Sequence, residues 1–164
     1  MNKSKFIKVI QVAFVVKNLE KAVKIYTDQY GIGPWKIYTI SSNTVNDLVK
    51  HDNKTGFSYK VAISYIGDIE WELVEPLDEK SIYSDFLKIH GQGFHHFAFE
   101  VKNFDEALTD LKAKGKKVLQ SGDWQGTKFA HISTEDDLGF VTELFKFPKN
   151  YKSPKPEKIY PLKG

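Results

Sequence analysis

Two stretches of the chain share one pattern of apolar and polar positions. The first runs Gln11-Val-Ala-Phe-Val-Val-Lys-Asn18-Leu-Glu-Lys-Ala22 and the second His96-Phe-Ala-Phe-Glu-Val-Lys-Asn103-Phe-Asp-Glu-Ala107, and they align without gaps. Before each asparagine the side chains alternate with period two, which marks a strand. Val12, Phe14 and Val16 point one way; Gln11, Ala13 and Val15 point the other. In the second copy Phe97, Phe99 and Val101 oppose His96, Ala98 and Glu100. Asn18 and Asn103 suit the N-cap role, because their side-chain oxygens can accept from the first free helical amides. The spacing then turns helical, over Leu19 to about Tyr30 and Phe104 to about Gly115, with Val23, Tyr26 and Tyr30 on one side and Phe104, Leu108 and Leu111 on the other helix's equivalent side. The bulky strand face is expected to lie under its helix. The small and polar face is left pointing at something other than a dry core.

After each helix the pattern predicts three strands. In the first half these are Trp35 to Ile40, Phe57 to Ile66 and Ile69 to Glu75. In the second they are Lys117 to Gln120, Phe129 to Ser133 and Phe140 to Phe147. Gly67-Asp68 and Asp136-Asp137-Leu-Gly139 are the turns before the last strand of each half. Those last strands also match, Trp71-Glu72-Leu73 against Thr142-Glu143-Leu144. The expectation is therefore an α+β fold of two paired βαβββ modules, residues 1–78 and 93–148, making one domain. Residues 79–92 link them through a short helix capped by Ser81. Residues 41–56, polar and aperiodic, read as a mobile loop. Residues 149–164 read as a basic tail on the surface or against a partner subunit.

Composition narrows the chemistry. The chain of 164 residues contains no cysteine, which excludes disulfides, thiolate catalysis and thiolate metal sites. Its net charge of +3, much of it in the tail, is too small to announce a nucleic-acid binder. The longest clean apolar stretch, Val12 to Val16, is far below the ~20 residues that span a membrane. A cytoplasmic protein is the expectation.

The repeat makes Gln11 equivalent to His96 and Glu72 equivalent to Glu143. All four are polar residues in mid-strand, where burial without a partner costs about 1–3 kcal/mol. One amide oxygen, one imidazole nitrogen and two carboxylates, gathered by one symmetry, suit a divalent cation such as Zn, Ni, Co, Mn or Fe(II). Taken singly, a mid-strand Gln or Glu is more often a solvated outward residue; the coincidence of four favours a site. Glu70 reads as an edge residue. His95, preceding His96, should point the opposite way and be structural. Glu100, His131 and Trp124 are secondary candidates for the substrate pocket, His131 as lining or filling and Trp124 as a loop residue over a ligand.

Taken together, Gln11-Val-Ala-Phe-Val-Val, Gly31-Ile-Gly-Pro-Trp35, Glu72-Leu-Val-Glu-Pro-Leu77, Gly93-Phe-His-His-Phe-Ala98 and Val141-Thr-Glu-Leu144 resemble the vicinal oxygen chelate superfamily, the glyoxalase, bleomycin-resistance and dioxygenase fold, over about Ile7 to Pro148. The resemblance implies an open, cup-shaped sheet around a divalent metal held by Gln11, Glu72, His96 and Glu143. It implies a proton taken from the carbon next to a metal-bound carbonyl, with Glu143 as base. Gln11 would break the two-His-one-carboxylate triad that iron ring-cleavage needs. The subgroup that looks most similar is the methylmalonyl-CoA epimerase type, acting on an acyl-CoA. Some of its members place a second catalytic Glu on the strand around Tyr59 to Ala62, where this chain has no carboxylate. The same resemblance leaves two alternatives. One is a glyoxalase I-type lactoylglutathione lyase, whose one-base shuttle needs no second group. The other is a metal-free drug-binding protein, which the intact polar quartet argues against. A homodimer is expected from the resemblance alone.

Overall fold

The structure, a computed structural model, describes residues 5–161. The chain opens with strand β1 (Phe6–Val15) and helix α1 (Leu19–Tyr30), followed by β2 (Trp35–Ser41), β3 (Asn46–Lys50), β4 (Asn53–Lys54), β5 (Ser58–Ile66) and β6 (Ile69–Pro76). Helix α2 (Ile82–His90) leads to β7 (Gly93–Val101), α3 (Phe104–Ala113), β8 (Val118–Trp124), β9 (Thr127–Ile132), a single turn α4 (Glu135–Leu138), β10 (Val141–Lys146) and β11 (Lys158–Tyr160). The strands form one unclosed mixed sheet in the order β11-β2-β5-β6-β1-β7-β10-β9-β8-β3-β4. Each repeat contributes four strands in equivalent order, β2-β5-β6-β1 and β8-β9-β10-β7. The two meet where β1 and β7 pair antiparallel. Among the described residues no helix is long and apolar enough to cross a membrane.

The helices start where the asparagines place them. Lys21 N donates to Asn18 Oδ1 at 2.8 Å and Glu106 N to Asn103 Oδ1 at 3.3 Å. Helix α1 ends at Gly31, whose φ of 66° suits a residue without Cβ. Leu19 and Val23 of α1 pack on Trp35, Ile37 and Leu73; Phe104 and Ala107 of α3 pack on Ile132 and Leu144. Truncating Leu19, which is fully buried, to alanine should cost about 2–5 kcal/mol. A third cluster lies on the concave side, where Val15, Tyr38, Val61, Val74 and Phe129 meet Ile82 and Tyr83 of α2.

One expectation fails, at a sheet edge. Residues 41–56 are not a mobile loop. They cross the cup as the β3–β4 hairpin, which pairs with β8 through Asn46↔Asp123, Val49↔Ser121 and Lys50↔Gln120. Val45 and Leu48, too sparse to show a period, are both buried in the concave cluster. His51 and Asp52, at φ 48° and 62°, turn the hairpin in the left-handed conformations a tight turn needs. The tail lies mostly exposed on the surface and is tied to the other edge of the sheet. Its β11 pairs antiparallel with β2, Glu157 accepts from Thr39 N at 2.8 Å and Thr39 Oγ1 at 3.0 Å, and Tyr38 donates to Pro154 O at 3.1 Å. Both outer edges of the eight-stranded frame are thereby covered, β8 by β3 and β2 by β11.

Candidate functional site

The register of the central strands sets the site. Ala13 faces Glu72 across the β1–β6 pair, and Ala98 faces Glu143 across β7–β10. Ala13 also opposes His96, and Ala98 opposes Gln11, across β1–β7. The two alanines, both fully buried, leave room at the centre for the four longer side chains around them. His96 Nε2 is the hub. It lies 3.2 Å from Gln11 Oε1, 2.9 Å from Glu143 Oε2 and 3.7 Å from Glu72 Oε2. The second oxygen of Glu143 lies 3.3 Å from His131 Nε2, which in turn meets the Tyr83 hydroxyl at 3.1 Å. His96, His131 and Glu143 present ligand atoms that all lie within 4.8 Å of one another.

Burial dominates the electrostatics of this centre and disfavours charge on each of its titratable groups. Burial pushes the Glu72 and Glu143 carboxyls well above the usual carboxylate range, and Glu143 adds to the shift at Glu72. Burial lowers His96 to about 3 and holds His95 and His131 well below the ordinary imidazole value, so all three rings are neutral at pH 7. Among the described residues neither carboxylate pairs with a lysine. Two buried carboxylates beside neutral imidazoles and an amide oxygen lack only a positive charge. That donor set fits a divalent cation.

A cavity of about 340 Å³ opens onto this centre. Gln11, Glu72 and Glu143 reach its floor, and aromatic side chains of Tyr38, Tyr59, Tyr83, Trp124, Phe129 and Tyr151 make much of its wall. Trp124 sits at the end of β8 rather than in a loop, its ring 5.2 Å from Tyr38 and edge-on to it. Glu100 lines the cavity near the mouth, 3.6 Å from Lys8. His131 neither lines nor fills it: the ring is fully buried behind Glu143. Residues 151–154 of the tail complete the wall.

Two polar residues stand differently from the sequence expectation. Glu70 is no edge residue, because β6 lies inside the sheet between β5 and β1. It lines the cavity, accepts from the Gln11 amide and accepts from Tyr65 at 3.0 Å. Its cross-strand pairing with Gln11 is invisible without the register. His95 does not point away from His96. The β1–β7 ladder pairs Ala13 with His96 and Phe14 with Phe94, so His95 is the extra residue of a β-bulge. The bulge sends both histidines inward, with His95 Nδ1 2.9 Å from His96 Nδ1. Tyr83, on α2, carried no sequence signal at all, and its place against His131 depends on how α2 docks.

Comparison with known proteins agrees with this architecture. The sequence model of the Glyoxalase/Bleomycin resistance protein/Dioxygenase superfamily matches residues 10–133. The chain is 29% identical over 109 residues to the mitochondrial methylmalonyl-CoA epimerase of Bos taurus, a match that takes in 66% of this chain and 54% of the bovine protein. The chain thus spans about half the length of that curated relative. The crystal structure of methylmalonyl-CoA epimerase from Mycobacterium tuberculosis superposes with a TM-score of 0.66 at 20% identity, over 88% of this chain and 91% of that one. A variant of the Streptomyces coelicolor methylmalonyl-CoA epimerase in complex with 2-nitronate-propionyl-CoA gives 0.65 at 22% identity, over 85% and 96%. The family match covers well over half of the chain, and the chain belongs to the Glyoxalase/Bleomycin resistance protein/Dioxygenase superfamily.

Proposed function

We propose that this protein is a divalent-metal-dependent enzyme that takes a proton from the carbon next to a carbonyl group, with a 2-methyl acyl-CoA thioester as first substrate, as in methylmalonyl-CoA epimerase. The observation that carries the reading is the convergence of Gln11 Oε1, Glu72 Oε2 and Glu143 Oε2 on His96 Nε2 at the floor of a cavity. These four residues would hold the ion. His131, which also lies within ligand distance of His96 and Glu143, is left out of the set because its Nε2 is already engaged by the second oxygen of Glu143 and the Tyr83 hydroxyl. When bound, the ion supplies Lewis acidity at a carbonyl oxygen and offsets the two carboxylates.

The protein's own groups do the rest. Glu143 receives and returns the proton, one carboxylate oxygen toward the cavity centre and the other beside His131. Tyr83 holds His131, so the general base sits on a supported ring rather than a free one. The aromatic wall excludes water from the carbanion equivalent as it forms. One observation favours the glyoxalase I-type alternative, a thiol-adduct substrate and a one-base shuttle. Where a second base would stand on β5, Tyr59 faces the cavity and no carboxylate does.

We also propose a homodimer, assembled through the outer face of β1 and β7. There Phe6, Phe14, Trp71, Phe94, Phe97, Phe99 and Phe140 form a continuous ring-to-ring row and all remain half-buried. Light scattering on wild type and Phe97→Lys tests it. A dimer that the substitution dissociates supports it; a wild-type monomer contradicts it.

The activity is tested by incubating metal-loaded protein with methylmalonyl-CoA in deuterium oxide and, separately, with a methylglyoxal–glutathione mixture. Deuterium at the substrate's 2-position, lost in Glu143→Ala, supports the first reading. Turnover of the thiol adduct alone moves the assignment to the second. Inactivity on both removes these two substrates.

A further inference from the structure

Gln11 carries an ambiguity that His96, Glu72 and Glu143 do not. Its side chain ends in an oxygen and an amide nitrogen of nearly equal shape, and a half-turn about the last bond exchanges them. Only the oxygen can ligate a hard divalent ion. A neighbouring carboxylate removes the ambiguity. Glu70 is the direct cross-strand partner of Gln11 in the parallel β1–β6 pair. One oxygen of Glu70 accepts from Gln11 Nε2, and Tyr65 donates to the other at 3.0 Å. The Gln11 amide donates and the Glu70 oxygen accepts, and that contact turns Gln11 Oε1 to His96 Nε2, 3.2 Å away.

The second repeat shows what happens where no such ambiguity exists. The position equivalent to Glu70 is Val141, paired with His96 in the β7–β10 ladder. His96 is oriented instead through its far nitrogen, by His95. A carboxylate stands at this register only where the inward residue is an amide.

We propose that Glu70 is a positioning residue, which fixes the Gln11 amide with its oxygen toward the His96, Glu72 and Glu143 centre. The proposal rests on the reading of Gln11 as a metal ligand.

Two measurements separate the proposal from that reading. In metal-free protein, the Gln11 side-chain amide protons are observed by ¹H–¹⁵N NMR and assigned by their loss in Gln11→Glu. They should be shifted by hydrogen bonding in wild type and should return to ordinary amide positions in Glu70→Ala. Co²⁺ affinity is then measured by chelator competition, with the visible d–d bands as a signature of the ligand set. Glu70→Ala should weaken binding about tenfold or more and shift the bands, as loss of an outer-shell partner does. Glu70→Gln, which keeps an acceptor oxygen, should recover most of both. In a Gln11→Ala background the Glu70→Ala change should cost nothing further. Wild-type affinity and bands in Glu70→Ala would overturn the proposal and leave the ligand reading standing, and so would an equal loss in both backgrounds. A wild type that binds no Co²⁺ while keeping the hydrogen-bonded amide signal would overturn the ligand reading, and the orienting role with it.

Discussion

Gln11 and His96, 85 residues apart, meet across the axis that relates the two repeats, Oε1 to Nε2 at 3.2 Å. The contact joins the first strand of each repeat, with Gln11 at the floor of the cavity and His96 buried beneath it. Around it lie two carboxylates whose charge no lysine among the described residues offsets.

That imbalance has a pH signature in metal-free protein. Glu143 titrates above its ordinary value of 4.5, so the folded state binds its proton more tightly than the unfolded chain. Its contribution to stability is then fully present below about pH 4.5 and is lost as pH rises toward the folded pKa, by about 1.4 kcal/mol per pH unit. The three buried histidines act oppositely, adding stability as pH rises toward 6.5, because the unfolded chain takes up their protons first. Glu143→Gln isolates the carboxylate. In urea titrations of metal-free protein the variant should gain on wild type as pH rises above about 5, the unfolded carboxyl's range. A difference that stays flat with pH would show that Glu143 is not held above its ordinary value.

The bulge at His95 makes a second prediction. His95 Nδ1 and His96 Nδ1, 2.9 Å apart, must be one donor and one acceptor. If Nδ1–H belongs to His96, its Nε2 carries the lone pair toward Gln11 and Glu143. His95→Phe keeps a ring between Tyr83 and Phe86 but removes the partner. Divalent-ion affinity, read by calorimetry, should fall about tenfold with little change in melting temperature.

The tail segment offers a test of the cavity wall. Glu157→Ala removes the acceptor of two hydrogen bonds from Thr39 and should cost about 1 kcal/mol in urea unfolding. Because residues 151–154 line the cavity, the same change should raise KM more than it lowers kcat. An unchanged KM would mean that the tail wall does not touch substrate.

Gly122 tests the hairpin that crosses the cup. A Cβ there would lie 2.8 Å from both Phe129 Cζ and Val45 Cγ1. Gly122→Ala should therefore destabilise by about 1–3 kcal/mol and raise hydrogen exchange in residues 45–50 first. Protection that stays intact in that hairpin would show that it does not depend on this contact.

Much of the frame was legible because its signals are local. The strand–Asn–helix units announce themselves twice, and the asparagines cap the helices where the pattern places them. The convergence of Gln11, Glu72, His96 and Glu143 was legible because a repeat turns sequence equivalence into spatial equivalence. What escaped depends on register and docking. Strand parity misdirected His95 because a bulge suspends parity for one residue. Glu70 looked peripheral because nothing in its own strand shows that β6 is interior. Val45 and Leu48 are two apolar residues in a polar run, too few for a period but enough to anchor a hairpin across the cup. The tail's β11 is three residues long, and only its partner β2 gives it a structure.

The central claim is that the four converging side chains hold one divalent ion. Elemental mass spectrometry after metal loading and dialysis, on wild type beside Glu143→Ala, tests it most directly. About one divalent ion per wild-type chain is expected, with a much smaller retained amount in the variant. No retained ion in wild type under any loading condition would contradict the claim, and small-molecule binding without metal would then be the better reading of the cavity.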